Sequence, residues 1–262
     1  GCISKDTAEI LSGQNPELTV SVQNVSCFGA NDGMFYTSAT GGNGPYQFSS
    51  DGGNTFVPQG TPFGPTGQSS YFVTVVDSLG CSDSDSIFIY EPPLLQISSI
   101  IKQNISCYDS SSGKLTVIHS GGTPPFTYLW SDPQSQSTLT AGNLSPGSYN
   151  VIVLDTNGCS DTSSGIVTQP DSIYLQISST SISCPGGNDG SLSVTASGGT
   201  PGYSYLWSNT STDSTIFNLN SSTYSIKVTD ENGCERTDSI FITQPAVMIN
   251  TFIKDSVTCK GG

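Results

Sequence analysis

Positive charge is scarce in this chain. Seven Lys and Arg stand against 21 Asp and Glu over 262 residues, a formal net charge of −14. That balance argues against nucleic acid, whose phosphates reward clustered Lys and Arg, and against electrostatic docking on anionic lipid. One His and two Met leave little of the usual equipment for acid–base or metal chemistry. No run approaches 18 apolar residues, so no segment reads as a membrane-spanning helix. There is no Cys-x-x-Cys, no Asp-x-Asp-x-Asp calcium loop and no Gly-rich phosphate loop. No apolar stripe of helical period is bounded by helix caps.

What is present is a cassette used repeatedly. One copy reads Cys184-Pro-Gly-Gly-Asn-Asp-Gly190, Ser197-Gly-Gly-Thr-Pro201, Tyr205-Leu-Trp207, Tyr224, Asp230-Glu-Asn-Gly-Cys234 and Gln244-Pro245. The preceding copy has Cys107, Ser120-Gly-Gly-Thr-Pro124, Tyr128-Leu-Trp130, Tyr149, Asp155-Thr-Asn-Gly-Cys159 and Gln169-Pro170. A more divergent one has Cys27, Asn31-Asp-Gly33, Gly41-Gly42, Tyr71, Asp77, Gly80-Cys81 and Glu91-Pro92. First cysteines at 27, 107, 184 and 259 are spaced by 80, 77 and 75 residues. Units of that length exceed most solenoid repeats and can each hold a small core. The expected organisation is the end of a preceding repeat at 1–16, repeats at 17–93, 94–171 and 172–247, and the first strand of a following repeat at 248–262. On this reading the sequence is a window on a longer array, opening at Cys2 and closing after Cys259.

Every unit alternates with period two. Leu192, Val194 and Ala196 alternate with Ser191, Ser193, Thr195 and Ser197, and Tyr224, Ile226 and Val228 alternate with Ser225, Lys227 and Thr229. Turn signals interrupt at short intervals, including Asn-Gly at 157–158 and 232–233 and Gly-Gly at 121–122 and 198–199. In the third copy the strands are expected at Leu175–Ser183 (A), Ser191–Ala196 (B), Tyr203–Ser208 (C), Ser214–Leu219 (E), Tyr224–Asp230 (F) and Ser239–Thr243 (G), with a short polar C′ after strand C. This is an all-β chain of tandem immunoglobulin-like sandwiches. Trp130 and Trp207 on strand C and Tyr71, Tyr149 and Tyr224 entering strand F are the expected core aromatics, the tyrosines as corner residues. A Ser- and Gly-rich acidic chain could instead be disordered, but the regular alternation weighs against it.

Together these motifs resemble the SprB-type repeat, found in very large cell-surface adhesins of Bacteroidota, including gliding-motility adhesins. The resemblance covers nearly the whole chain. It is broken where Ser50 replaces the Trp of the other copies and where Ser112 replaces Asp32 and Asp189. It implies extracellular display, export, and an adhesive or fibre role, with no catalytic residues. It also implies O-glycosylation at Asp-Ser/Thr followed by an aliphatic residue or Thr, which places acceptors at Thr7, Ser78, Ser86, Ser172, Ser214, Ser239 and Ser256. A simpler reading of Ser86 and Ser239 is that Asp-Ser-Ile merely opens strand G.

Eight cysteines in a Ser/Thr-rich surface-type chain read as disulfides. Two connectivities stand. Pairing within a repeat gives Cys27–Cys81, Cys107–Cys159 and Cys184–Cys234, each worth about 4 kcal/mol by loop entropy. Against it, the A–B corner and the F–G turn lie at opposite poles of a sandwich, about 25–30 Å apart, while bridged Cα atoms need about 7 Å. Pairing between repeats gives Cys27–Cys159 and Cys107–Cys234, because the corner of one unit then meets the F–G turn of the next.

Phe126, Tyr128 and Trp130, like Tyr203, Tyr205 and Trp207, share a strand face. They form either a sugar platform or, as preferred, sandwich core. Asp32, Asp51 and Asp189 in Gly-rich turns are candidate Ca²⁺ ligands, with a solvated turn the preferred reading and no cofactor expected. His119 is expected on a strand surface without Ser or Asp partners for catalysis. The leading functional reading is a non-enzymatic segment of an extracellular adhesin or stalk. Its partners would be neighbouring repeats, surface polysaccharide or other fibre subunits. The alternatives are a glycan-binding array and spacer repeats of a larger secreted enzyme.

Overall fold

A computed structural model describes residues 14–249, all of it strand, turn and loop. The first block of strands comprises β1 (Glu17–Gln23), β2 (Gly33–Thr40), β3 (Gln47–Ser49), β4 (Val57–Pro58), β5 (Phe63–Thr66), β6 (Ser69–Val76) and β7 (Ser82–Ile89). The second comprises β8 (Gln96–Gln103), β9 (Gly113–Ser120), β10 (Thr127–Trp130), β11 (Thr140–Leu144), β12 (Gly147–Leu154) and β13 (Ser160–Val167). The third comprises β14 (Tyr174–Thr180), β15 (Gly190–Ser197), β16 (Ser204–Trp207), β17 (Thr215–Leu219), β18 (Thr223–Thr229) and β19 (Glu235–Phe241). The sheets are β1-β2-β5 and β4-β3-β6-β7, β11-β9-β8 and β10-β12-β13, β14-β15-β17 and β16-β18-β19. Strands A, B and E of each block thus form one sheet and C, F and G the other, which is the immunoglobulin-like arrangement in the variant that lacks strand D. The first block alone adds C′, as β4.

By packing, the chain divides into two compact units. One holds the residues up to Ile101 with Leu115–Ala141 and Ser148–Gly165. The other holds Lys102–Lys114, Gly142–Gly147 and the residues from Ile166 onward. The second block of strands contributes to both.

Strand alternation decides what is buried. In β15 Gly190, Leu192 and Val194 point inward, and β18 contributes Ile226 and Val228. Trp207 closes this core together with Ile182, Ile216, Leu219 and Ile242. Trp130 and Trp207 are 1% and 2% exposed, and each indole N–H donates to a backbone carbonyl, Thr138 O and Asp213 O respectively, at 2.9 Å. In the first block Phe35 stacks on Phe63 at 4.8 Å and packs against Tyr71 at 5.2 Å. Phe35 pairs with Phe63 where Leu192 pairs with Ile216 in the third block. Two larger side chains there make up the volume lost where Ser50 replaces tryptophan, as a close-packed interior requires.

Glycine is required where backbones approach most closely. Gly198 adopts φ +73°, and a Cβ there would lie 2.1 Å from Ser172 O; at Gly121 (φ +73°) it would lie 1.9 Å from Leu94 O. The Gly-Gly motif therefore serves a left-handed turn pressed against the start of strand A.

Four sequence expectations need correction. The C′ expected after strand C of the third block is a turn rather than a strand, with Thr210 N donating to Trp207 O at 2.9 Å. Strand G of the third block begins at Glu235 rather than Ser239, because the tight Asn232-Gly233 turn lets Thr229 pair directly with Glu235. Strand A ends at Thr180 rather than Ser183, because the chain then crosses to strand G, where Ile182 N donates to Thr243 O at 3.2 Å. His119 is not a surface residue: it falls in the inward parity of Gly113, Leu115 and Val117 and is half-buried. Its Nε2 lies 2.9 Å from Tyr128 Oη, and its ring meets Phe126 edge-on at 4.6 Å.

Candidate functional site

No three His, Cys, Asp or Glu residues converge as a metal site among the described residues. The chemistry that does converge is at the cysteine turns, which are of two kinds.

The first kind is the A–B corner, carrying Cys27, Cys107 or Cys184. Here the carboxylate of Asp32 accepts from Ser26 N (2.9 Å) and Ser26 Oγ (2.5 Å), and Asp189 does the same for Ser183 N (3.1 Å) and Oγ (2.5 Å). The Ser26 and Ser183 hydroxyls, then the backbone N–H groups, hold both carboxyls below the usual Asp range. These are the Asp residues weighed above as calcium ligands, and their oxygens are engaged in their own turns. Asp51 is engaged likewise by the Thr55 hydroxyl, Thr55 N and the Ser49 hydroxyl, which hold its pKa far below normal. The residue before the strand-G proline completes the corner. Glu91 Oε1 accepts from Gly29 N, Gln169 Oε1 from Asp109 N (2.9 Å), and Gln244 Oε1 from Gly186 N (2.9 Å).

The second kind is the F–G turn, carrying Cys81, Cys159 or Cys234. Each is gripped by a buried aspartate, which sequence reading quoted in the motif without a role. Asp230 Oδ1 accepts from Cys234 N (2.8 Å) and Oδ2 from Thr200 N (2.8 Å). Asp155 binds Cys159 N and Thr123 N, each at 2.9 Å, and Asp77 binds Cys81 N (2.8 Å) and Asn43 N (2.9 Å). The carboxylate thus ties the cysteine turn to the Gly-Gly turn. At Asp77 the Asn43 amide, with those of Cys81, Leu79 and Gly80, outweighs desolvation and lowers the pKa. Asp132, also unassigned by sequence reading, organises the turn after strand C. Burial pushes its pKa up, but Gln136 (side chain and backbone) and Gln134 outweigh burial, and the net shift is downward.

The two kinds of turn meet. Cys27 is bonded to Cys159 and Cys107 to Cys234, with Cα–Cα distances of 5.7 and 5.5 Å. Each bond lies wholly inside one compact unit. The alternative pairs Cys27–Cys81, Cys107–Cys159 and Cys184–Cys234 do not form; Cys81 and Cys184 are thiols, the first half-buried and the second exposed. Cys2 and Cys259 lie outside the described residues.

A polar contact flanks each bond. Asn157 Nδ2 donates to Ser26 O (3.0 Å) and Thr123 Oγ1 (3.3 Å), and Asn232 Nδ2 donates to Ser106 O (3.3 Å) and Thr200 Oγ1 (2.8 Å). Cys159 Sγ and Cys234 Sγ approach the same two serine carbonyls at 3.3 Å, a sulfur–oxygen contact, since a bridged sulfur has no proton to donate. The Asn of Asp-x-Asn-Gly-Cys, read from sequence as a turn former, therefore also binds across the junction. Beside the Cys107–Cys234 bond lies an open cleft of about 390 Å³, which includes Tyr108, Asp171 and Arg236.

The remaining candidate residues are dispersed. Tyr71 Oη lies 2.5 Å from Thr66 Oγ1, Tyr224 Oη donates to Asn220 O at 3.4 Å, and Tyr149 is buried. Ser78, Ser86, Ser172, Ser214 and Ser239 are all exposed, although Ser78 Oγ donates to Asn43 O at 2.8 Å. Thr7 and Ser256 lie outside the described residues. No helix among the described residues is long and apolar enough to cross a membrane.

Comparison with known proteins gives one family. The SprB repeat model matches residues 19–55, 99–135 and 177–212. No curated protein matches the chain. Among solved structures, the N-terminal eight immunoglobulin domains of Down syndrome cell adhesion molecule are similar at 14% identity and a TM-score of 0.34, over 88% of this chain and 36% of that one. Domains 1–6 of the surface layer protein SbsC are similar at 14% identity and a TM-score of 0.29, over 84% of this chain and 39% of that one. Chicken CNTN1 domains FN1–FN3 are similar at 13% identity and a TM-score of 0.27, over 88% of this chain and 99% of that one. Likeness at this level says nothing of ligands or partners.

Proposed function

The chain carries three tandem copies of the SprB repeat, and from that premise we propose that it is a non-catalytic segment of a large adhesin or fibre displayed outside the cell, in the manner of gliding-motility adhesins. One observation carries the reading: two disulfides join turns 132 and 127 residues apart in sequence. With repeats at 17–93, 94–171 and 172–247, each bond links the A–B corner of one repeat to the F–G turn of the next. Such a bond resists separation of neighbours without adding a reaction centre, and it persists only under oxidising conditions. Low positive charge and exposed Asp-Ser sites for O-linked sugar suit the same setting, and glycans there would shield sheet edges from pairing.

The test is made on the producing cells. An antibody against residues 14–249 should label intact cells, and deleting the encoding region should lower their attachment to surfaces. Labelling only after lysis, or unchanged attachment, removes the reading. Intact mass of the native protein reports the sugars.

A glycan-binding array is the second reading. Burial of Trp130 and Trp207 removes the tryptophan platform. What favours it is an open cleft of about 480 Å³ in which Tyr90, 62% exposed, stands beside Asn24, Glu91 and Asn157. An aromatic face with flanking amide and carboxylate groups is the usual chemistry for a sugar ring. A glycan array screen with wild type and Tyr90→Ala separates this reading from a purely adhesive scaffold.

A further inference from the structure

Two clefts occupy equivalent places in the chain, one beside the Cys27–Cys159 bond and one beside the Cys107–Cys234 bond. Each is bordered by the residue after the corner cysteine, Phe28 or Tyr108, and by the chain entering strand A, at 93–95 or 171–173. Their chemistry differs. The first, about 200 Å³, is lined by no charged side chain. The second, about 390 Å³, is lined by Asp171, Asp230, Glu235 and Arg236. We propose that the cleft beside Cys107–Cys234 is a sugar-binding site, taking a neutral hexopyranose unit of a polysaccharide through Tyr108, Asp171 and Arg236.

The three residues are departures from the other copies, and none of them is spent on the fold. Arg236 is the one arginine of the sequence. In the first two blocks the residue two after the F–G cysteine is Asp83 or Asp161, and it binds strand A. Asp83 Oδ2 accepts from Leu18 N at 2.9 Å, and Asp161 Oδ2 from Ile97 N at 2.6 Å. Arg236 opposes Val228 as Asp83 opposes Val75, but a guanidinium has no acceptor and cannot make that bond. It is exposed and lines the cleft instead. Asp171 stands where the first cleft has Pro93, and Tyr108 where it has Phe28. The side chains of Tyr108, Asp171 and Arg236 make no hydrogen bond or ion pair among the described residues. Their charged neighbours are occupied: Asp230 by Cys234 N and Thr200 N, and Glu235 by Lys227 Nζ at 2.9 Å. An acceptor, a donor fork and an aromatic ring thus border one open space with their bonding capacity unused.

That set suits a sugar ring. Tyr108 is 54% exposed, and the negative face of its ring attracts the C–H groups on one side of a pyranose. Asp171 accepts from hydroxyls. The planar fork of Arg236 donates to hydroxyl oxygens in a fixed direction, which a lysine would not do. The Asp171 carboxylate and the net charge of −14 both repel a polyanion, so the ligand is a neutral sugar. The uncharged cleft beside Cys27–Cys159 lacks these donors and acceptors and should bind none.

The inference rests on the glycan-binding reading and places it at a cleft other than that of Tyr90. The experiment measures binding of the full chain to immobilised glucans, mannans and galactans, beside alginate and polygalacturonate. At least one neutral polysaccharide should be bound. Tyr108→Ala, Asp171→Asn and Arg236→Asp should each weaken that binding about ten-fold or more. Arg236→Asp introduces the residue that the first two blocks carry, so the fold has a precedent for it. Circular dichroism and an intact Cys107–Cys234 peptide establish that the variants are folded. A preference for alginate or polygalacturonate, or neutral binding that the three variants leave unchanged, would overturn the site. Binding lost only in Tyr90→Ala would keep the glycan-binding reading and remove this one. No binding to any polysaccharide would remove both.

Discussion

Asn157 reaches across the disulfide of its neighbours: its Nδ2 donates to Ser26 O at 3.0 Å, while Cys159, two residues on, is bonded to Cys27, one residue on. Opening the sulfur bridge therefore exposes a hydrogen bond as well. A neutral bond of this kind is worth about 1 kcal/mol. Asn157→Ala should shift the dithiothreitol equilibrium of Cys27–Cys159 toward reduction by about five-fold and leave Cys107–Cys234 unchanged. Alkylation and mass mapping at graded reductant read both bonds in one sample.

Removing a bridge outright should matter more. Replacing both Cys27 and Cys159 by Ser is expected to cost about 2–5 kcal/mol of stability by urea titration. Cys107→Ser with Cys234→Ser should cost a similar amount. Because the loops overlap, each bridge partly compensates for loss of the other, and the quadruple variant should lose somewhat more than the sum of the two.

The aspartate grip at the F–G turns can be probed at Asp230. Asn keeps one acceptor and turns an N–H₂ toward backbone donors. Asp230→Asn should therefore destabilise by about 1.5–3 kcal/mol, the range for a hydrogen bond to a charged group. Backbone amide exchange should rise first at Thr200 or Cys234, whichever N–H then faces the amide NH₂ in place of an oxygen.

Stability should also depend on acid in a defined direction. Asp32, Asp77, Asp132 and Asp189 all have carboxyls lowered by hydrogen bonds in the folded chain. A carboxyl lowered on folding stabilises fully above its unfolded pKa of about 3.9 and ceases to do so as pH falls through the folded value. Urea midpoints should be flat from neutral pH down to about 5, then fall steadily below about 4. Midpoints that rise on acidification would contradict the hydrogen-bonded geometry of these turns.

Trp207→Ala should cost about 3–5 kcal/mol, as for other aromatic truncations in a close-packed core. Ser50→Trp, by contrast, should destabilise rather than fill space, because Phe35 and Phe63 already occupy the first block's core.

Much of the architecture was legible in the residues. Leu192, Val194, Ile226 and Val228 announce their inward face by parity alone, and the spacing of the motifs gives the repeat. Parity would also have placed His119 inward, since it continues Gly113, Leu115 and Val117; its polar side chain obscured the pattern. The grips of Asp77, Asp155 and Asp230 and the reach of Glu91, Gln169 and Gln244 were not legible. Each of these side chains binds backbone N–H groups, some of them more than 30 residues away, and a backbone amide leaves no mark in composition. The cysteine pairing stayed open for a similar reason: both connectivities suit the spacing, and only the meeting of two turns distinguishes them.

The two bridges enclose overlapping stretches of chain, 27–159 and 107–234. A protease that cuts a loop in the shared stretch leaves two fragments still tied by both sulfur bonds. Such a cut severs the polypeptide without parting it.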